Sequence, residues 1–269
     1  MIKIDNLTFS YSKKKALFDN LNLEIDGGGI VGLLGLNGAG KTTLIKLLCG
    51  FMFPKSGTID ILGFTPSKRY ADFYANIYYI PDELNLPSLS GLKFVELYKP
   101  FYKDFDQAKF DRLVQNFEID VTAKLSRMSL GQKKKFIVSF ALATNSRIMF
   151  FDEPTNGLDI PAKKYFKKAI VSETTEQQLI LISTHQVADI NNIIDRVVIL
   201  DDGRVVLNKT LWDITQQYAF VTTDSPQGAG AIYAEEAAGG YRAVVPANGQ
   251  QTEVDLELLF SALTNPQKR

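Results

Sequence analysis

Short apolar segments alternate with amphipathic ones from the first residue to about residue 210. Residues 2–11 keep Ile2, Ile4, Leu7 and Phe9 apolar with polar neighbours between them, which predicts a half-buried strand. Leu17 to Ile25 repeats the pattern with Leu21, Leu23 and Ile25 in phase. Ile30 to Leu34, Ile148 to Phe151 and Leu179 to Ile182 are apolar runs of the kind a strand buried on both faces requires. Thr58 to Leu62 and Asn76 to Ile80 are further strand candidates. Leu44, Leu47 and Leu48 fall at helical spacing, and Gly50 is placed to stop that helix. From Leu84 to Asp120 the pattern turns helical and aromatic, through Phe94, Leu97, Tyr98, Phe101, Phe105, Phe110, Leu113 and Phe117. That stripe reads as core. Val197 to Leu200 and Val205 to Leu207 flank Asp201-Asp202-Gly203-Arg204, a hairpin signal. Strands alternating with helices predict an α/β fold with a mostly parallel sheet.

Composition shifts after about residue 215. Residues 221–251 are rich in Gly, Ala, Pro, Ser and Thr, with Tyr241 to Val245 as a strand-like piece. Asp255 to Leu263 reads as a short closing helix. Residues 211–269 are therefore expected to form a small α+β appendage to a domain spanning 1–210. The 269 residues carry 30 basic and 30 acidic side chains, so nothing in the charge balance marks a nucleic-acid partner. The one cysteine, Cys49, lies in the apolar pattern of the first helix and reads as a small core residue. No apolar run reaches a membrane span and the N-terminus has no signal-peptide design, which predicts a cytoplasmic protein.

The chemistry is concentrated at the ends of the apolar strands. Gly35-Leu36-Asn37-Gly38-Ala39-Gly40-Lys41-Thr42-Thr43 follows one of them and opens a helix. This is a phosphate-binding P-loop. Its glycines let backbone N–H groups wrap a polyphosphate, Lys41 can reach the β- and γ-phosphates, and the Thr42 hydroxyl can ligate Mg²⁺. The helix N-terminus adds its dipole. Ile148 to Phe151 ends in Asp152-Glu153, which sets two carboxylates at the same sheet edge. Asp152 is the candidate for Mg²⁺, and Glu153 the candidate general base toward water.

Two further stretches identify the kind of site. Met128-Ser129-Leu130-Gly131-Gln132 and Asp152-Glu153-Pro154-Thr155-Asn156-Gly157-Leu158-Asp159 resemble the signature, and the Walker B and D-loop motifs, of ATP-binding cassette (ABC) ATPases. The motifs stand in that family's order and approximate spacing, and the resemblance covers about residues 1–210. It implies a P-loop NTPase core, an N-terminal antiparallel β subdomain and a helical signature subdomain at about 82–145. It also implies ATP and Mg²⁺ as cofactors. Tyr11 matches the aromatic that stacks on adenine. His185, the only histidine in the chain, falls in Ser183-Thr184-His185-Gln186 where the family's switch residue meets the γ-phosphate. Ser129, Gly131, Gln132 and Asp159 would contact nucleotide held by another subunit.

Two motifs depart from the family, the lid and the signature, where Met128 stands in place of Leu. Tyr79-Ile80-Pro81-Asp82-Glu83 puts Asp82 where the lid glutamine is expected. An acid there keeps an oxygen for Mg²⁺ or its water, with Glu83 as the alternative. Leu130 replaces the first glycine of the signature. Lys133-Lys134-Lys135 reads as a solvated helix face.

One P-loop and one signature per chain imply a dimer, with a second copy or a homologous ATPase subunit. The leading expectation is the ATP-binding subunit of an ABC transporter, bacterial and exporter-like, held at the cytoplasmic face of the membrane by a separate permease. The alternative is a soluble ABC ATPase such as an iron–sulfur assembly ATPase. A kinase or GTPase using the same loop fails on the signature and on Glu153.

Overall fold

The computed structural model describes residues 1–12 and 15–264. The chain opens with strands β1 (Ile2–Phe9), β2 (Phe18–Ile25) and β3 (Gly29–Leu34), then helix α1 (Lys41–Leu48) and strand β4 (Ser56–Ile61). Helix α2 (Ala71–Ala75) leads into β5 (Ile77–Ile80), followed by α3 (Gly91–Tyr98), α4 (Gln107–Asn116) and α5 (Leu130–Ala143). Then come β6 (Ile148–Asp152), α6 (Ile160–Glu173), β7 (Leu179–Thr184), β8 (Arg196–Asp201) and β9 (Arg204–Thr210). The last part contains α7 (Leu211–Gln217), β10 (Tyr218–Thr223), β11 (Tyr233–Ala237), β12 (Gly240–Pro246) and α8 (Leu256–Thr264).

The central sheet has the order β5-β6-β7-β3-β8-β9. Its strands are parallel except β9, which pairs antiparallel with β8 through the expected hairpin. Successive residues of each strand point to opposite faces, and both faces are dry. Val31, Leu33, Ile148, Phe150, Leu179 and Leu181 pack with α1 and the three-stranded antiparallel sheet β2-β1-β4. Leu34, Met149, Phe151, Ile180 and Ile182 pack on the other face with α5 and α6. This double burial is why those strands lack a polar alternation.

Register brings the chemistry together. Leu34 lies opposite Thr184, and Asp152 opposite Ser183. The residues after β3, β6 and β7 therefore leave one edge of the sheet side by side, at the strands' C-terminal ends.

The aromatic stretch is two helices rather than one. Ser90 caps α3 by accepting from Lys93 N, and α3 ends where Lys99-Pro100 begins a short 3₁₀ turn. Asp106 caps α4 in the same way through Lys109 N. Phe94, Phe110, Leu113 and Phe117 are core, as expected, but Leu97, Tyr98 and Phe101 are exposed. Gly50 does stop α1, in a left-handed conformation at φ 69° that closes the last turn through its N–H to Leu47 O.

In the C-terminal part, β10, β12 and β11 form their own antiparallel sheet. Ile214 of α7 and Leu256 and Leu259 of α8 join the large core cluster alongside Val187, Ile190 and Ile194. Residues 265–269 of the expected appendage lie outside the described residues. Among the described residues, no helix is long and apolar enough to cross a membrane.

Candidate functional site

The P-loop wraps a cleft of about 320 Å³ lined by Leu36 to Gly38 and Gly40 to Thr43 together with Tyr11, Leu17, Asp82 and Glu153, while Ala39 is buried behind it. Gly40 caps α1 in a left-handed conformation (φ 105°), and a Cβ there would lie 2.8 Å from the Phe18 ring. Only glycine fits both demands. No side chain caps this helix, so its first N–H groups face the cleft as an anion site. Lys41 is buried. Its Nζ donates to Gly35 O at 2.7 Å and to Leu36 O at 3.4 Å, and lies 3.5 Å from Glu153 Oε1.

Tyr11 stands beyond β1 rather than at its end, because the strand stops at Phe9. Its hydroxyl shares a 2.7 Å hydrogen bond with Thr43 Oγ1, and its ring lies edge-on to Phe9. The ring is exposed (67%) beside the P-loop, available for stacking. An adjoining hollow of about 260 Å³ is lined by Tyr11, Leu17, Gly38 and Gly203 among others.

Across the cleft, β6 delivers Asp152 and Glu153. Glu153 takes a left-handed backbone (φ 46°), a strained conformation for a residue with a Cβ. Four bonds hold it there. Its N–H reaches Ser183 O at 3.1 Å and Ser183 Oγ at 3.2 Å, and its carbonyl accepts from Asn156 N at 3.2 Å and from Lys134 Nζ at 2.9 Å. Its side chain is met by His185, whose Nδ1 lies 3.0 Å from Oε1. Glu153, His185 and Lys41, named separately from sequence, thus converge on one carboxylate.

Lys134 corrects an expectation. The triple lysine is not a solvated face, because Lys134 is 1% exposed while its neighbours lie at the surface or half-buried. Burial in the angle between α5 and the Glu153 turn lowers its pKa, and the charges of Asp82, Glu153 and Asp152 oppose that. Nζ also faces Asp82 Oδ1 at 3.7 Å, and Asn156 Nδ2 donates to the same oxygen at 3.3 Å. Asp82 lines the cleft and Glu83 does not, which favours Asp82 as the lid residue. The sequence carried a signal for Lys134 only in its distance from Ser129, since a helix of 14 residues must turn some of its positions inward.

The signature and D-loop groups lie elsewhere. Ser129 caps α5, its Oγ accepting from Gln132 N while Gln132 Oε1 accepts from Ser129 N. Asp159 caps α6 through Ala162 N at 2.8 Å. A Cβ on Gly131 would have Gly157 O and Leu158 as its nearest neighbours at 3.9 Å, and Leu130 is half-exposed over Gly157. None of Ser129, Gly131, Gln132 or Asp159 lines the P-loop cleft of its own chain.

The donor set fits Mg²⁺. Asp152 Oδ1 accepts from Ser183 Oγ at 2.5 Å, while Asp152 Oδ2 and Glu153 Oε2 are buried without a hydrogen-bond partner among the described residues. The unsatisfied Asp152 oxygen, with the Thr42 hydroxyl, is the kind of hard oxygen ligand this cation takes together with phosphate, while the unpartnered Glu153 oxygen is left for water. Burial pushes the Asp152 carboxyl above the usual carboxylate range, against the hydroxyls of Ser183 and Thr42, which pull it down. The folded chain therefore holds this proton to higher pH than the unfolded chain does. Its contribution to stability falls as pH rises from about 3.9 through the raised value, and stays lowered above it. Asp152→Asn is accordingly expected to raise the melting temperature of the nucleotide-free protein at pH 7, by about 2–4 °C per kcal/mol relieved. The gain should shrink toward pH 4. Equal or lower melting at pH 7 would contradict the burial argument.

Sheet order, P-loop and acidic strand end together define a P-loop ATPase fold. Residues 18–156 match the ABC transporter family model. An uncharacterised ABC transporter ATP-binding protein of Methanocaldococcus jannaschii is 32% identical over 225 residues, 82% of this chain and 81% of that protein. The bacitracin transport ATP-binding protein BcrA of Bacillus licheniformis is 31% identical, over 77% of this chain and 68% of that one. A solved ATP-binding subunit of an ABC transporter has a TM-score of 0.71 at 28% identity, covering 80% of this chain and 91% of that one. The chain belongs to the ABC transporter family, as an ATP-binding subunit with ATPase activity.

Proposed function

We propose that two copies of this chain, or one copy and a homologous ATPase subunit, close head-to-tail around two ATP molecules and thereby drive a separate membrane permease. Lys41, Asn37, Gly38, Ala39, Gly40 and Thr43 hold the phosphates from one side, Tyr11 takes the adenine, and Ser129, Gly131, Gln132 and Asp159 complete the site from the other copy. Thr42, Asp152 and Asp82 would hold Mg²⁺, which would supply charge neutralisation at the phosphates. Glu153 accepts a proton from the attacking water. His185 fixes the Glu153 carboxylate through Nδ1, and Nε2, which lies 3.4 Å from Gln186 Nε2, is the ring nitrogen left to meet the γ-phosphate.

The observation that carries this reading is the split site. The signature serine is present and caps α5, yet it lies outside the cleft of its own P-loop. Such a half-site is complete only when a second copy supplies the other half. ATP then binds the closed pair more tightly than the open one, which is the condition for driving a conformational change. Loss of the γ-phosphate removes that difference and reopens the pair.

Transport is supported by the bacitracin transport relative. The permease holds the subunit at the cytoplasmic face of the membrane, and the exposed Leu97 and Phe101 of the helical region offer apolar surface for such a contact. Pull-down from membrane extracts is expected to recover an integral membrane protein with several apolar spans. Recovery of soluble iron–sulfur assembly factors instead would overturn the transport reading.

Closure is tested in a Glu153→Gln background, where the pair should persist. Size-exclusion chromatography should show an ATP-dependent dimer. Adding Ser129→Arg should return it to monomer while leaving nucleotide binding to the single chain intact. A dimer that survives Ser129→Arg would sink the split-site assignment.

A further inference from the structure

Asp82 and Lys134 are both unusual for where they stand. Asp82 occupies the lid position at which a neutral glutamine is expected. Lys134 is a charged side chain at 1% exposure, in a helix otherwise buried by Phe136, Ile137, Val138 and Phe140. A buried ammonium needs a countercharge and acceptors. Both are present. The carbonyl of Glu153 accepts a hydrogen bond from Nζ at 2.9 Å, and the half-exposed Asp82 carboxylate supplies the countercharge, its Oδ1 3.7 Å away.

We propose that Asp82 and Lys134 are a matched charge pair that replaces a neutral lid, and that Lys134 is a positioning residue for hydrolysis because it anchors the left-handed Glu153 turn. This rests on the reading of Glu153 as the base.

The geometry gives the pair two duties. Lys134 lies on the helix that carries Ser129 at its N-cap, five positions further on. The helix whose end faces the second copy thus also grips the backbone of Glu153. Asp82 meanwhile lines the nucleotide cleft. It neutralises Lys134 from the lid side, and Asn156 of the D-loop steadies its Oδ1 at 3.3 Å. Lid, signature helix and catalytic turn therefore meet at one buried nitrogen. A neutral residue at either position leaves the other charge with less compensation than it has now.

The test is a double-mutant cycle with Asp82→Gln, Lys134→Gln and both together. It is read first as melting temperature without nucleotide or Mg²⁺, and then as kcat and KM for ATP. Asp82→Gln installs the residue expected at the lid, yet in this chain it should lower the melting temperature by roughly 5 °C or more. It should also lower kcat about tenfold. Lys134→Gln alone should lower kcat by a similar factor, with a smaller effect on KM. The double variant, Gln facing Gln, should recover most of both losses. Additive losses in the double variant would overturn the pairing, as would an Asp82→Gln protein at least as stable and active as the original. The melting cycle needs no turnover, so it can fail while Glu153 remains the base. Conversely, near-normal turnover of Glu153→Gln would remove the base assignment and leave the melting cycle standing.

Discussion

Glu153→Gln is expected to slow ATP turnover by about 10²–10⁴-fold, the usual worth of a positioned general base. ATP binding should survive, because the amide keeps the shape of the side chain and one acceptor oxygen. His185 Nδ1 at 3.0 Å and Lys41 Nζ at 3.5 Å approach Glu153 at Oε1, so one oxygen is oriented while Oε2 is buried and has no hydrogen-bond partner among the described residues. A base held in this way loses little entropy when it meets water. Steady-state phosphate release measures the loss, and retention of labelled ATP on the isolated protein measures the surviving affinity. Turnover within threefold of the original would remove Glu153 from the chemistry and leave His185 to be tested in its place.

Lys41→Ala should be the most damaging change to binding. Truncating one partner of a buried, hydrogen-bonded charge pair costs about 2–5 kcal/mol, so ATP affinity should drop at least roughly 30-fold. Lys41 is now parked on Gly35 O and beside Glu153. A bound polyphosphate offers its ammonium a stronger partner than a carbonyl. Lys41→Arg should not restore affinity, since the planar guanidinium cannot follow the narrow path between Gly35 and Glu153. Equilibrium titration of ATP by calorimetry checks both variants. Unchanged affinity in Lys41→Ala would contradict the role given to the P-loop.

The features legible in sequence were those written in local periodicity. The doubly buried strands from Ile148 and Leu179 read directly because both of their faces demand apolar residues, and the P-loop because its glycines must reverse the chain at fixed intervals. The Asp201–Arg204 hairpin formed where its turn residues stand. Tertiary contacts were less visible. Lys134 sits between two other lysines and looks solvated until the Glu153 turn folds down over it. The aromatic stripe divides into core and surface only after Pro100 has ended α3, which no count of aromatics reveals. In the C-terminal sheet Tyr241 to Val245 was readable, but β11 contains two glutamates and only partial burial, so its pairing with β12 supplies most of its definition.

The reciprocal cap at the start of α5 bears on how fast the two halves can meet. Ser129 receives a backbone N–H through an oxygen lone pair, which leaves its hydroxyl hydrogen unassigned to that cap. The same atom can seal its own helix and donate to an anion arriving on another molecule. No turn has to fray before docking and none has to reform after release. Under the proposed closure, encounter is then limited by orientation and collision rather than by local refolding, and each reopening leaves the first turn of α5 intact.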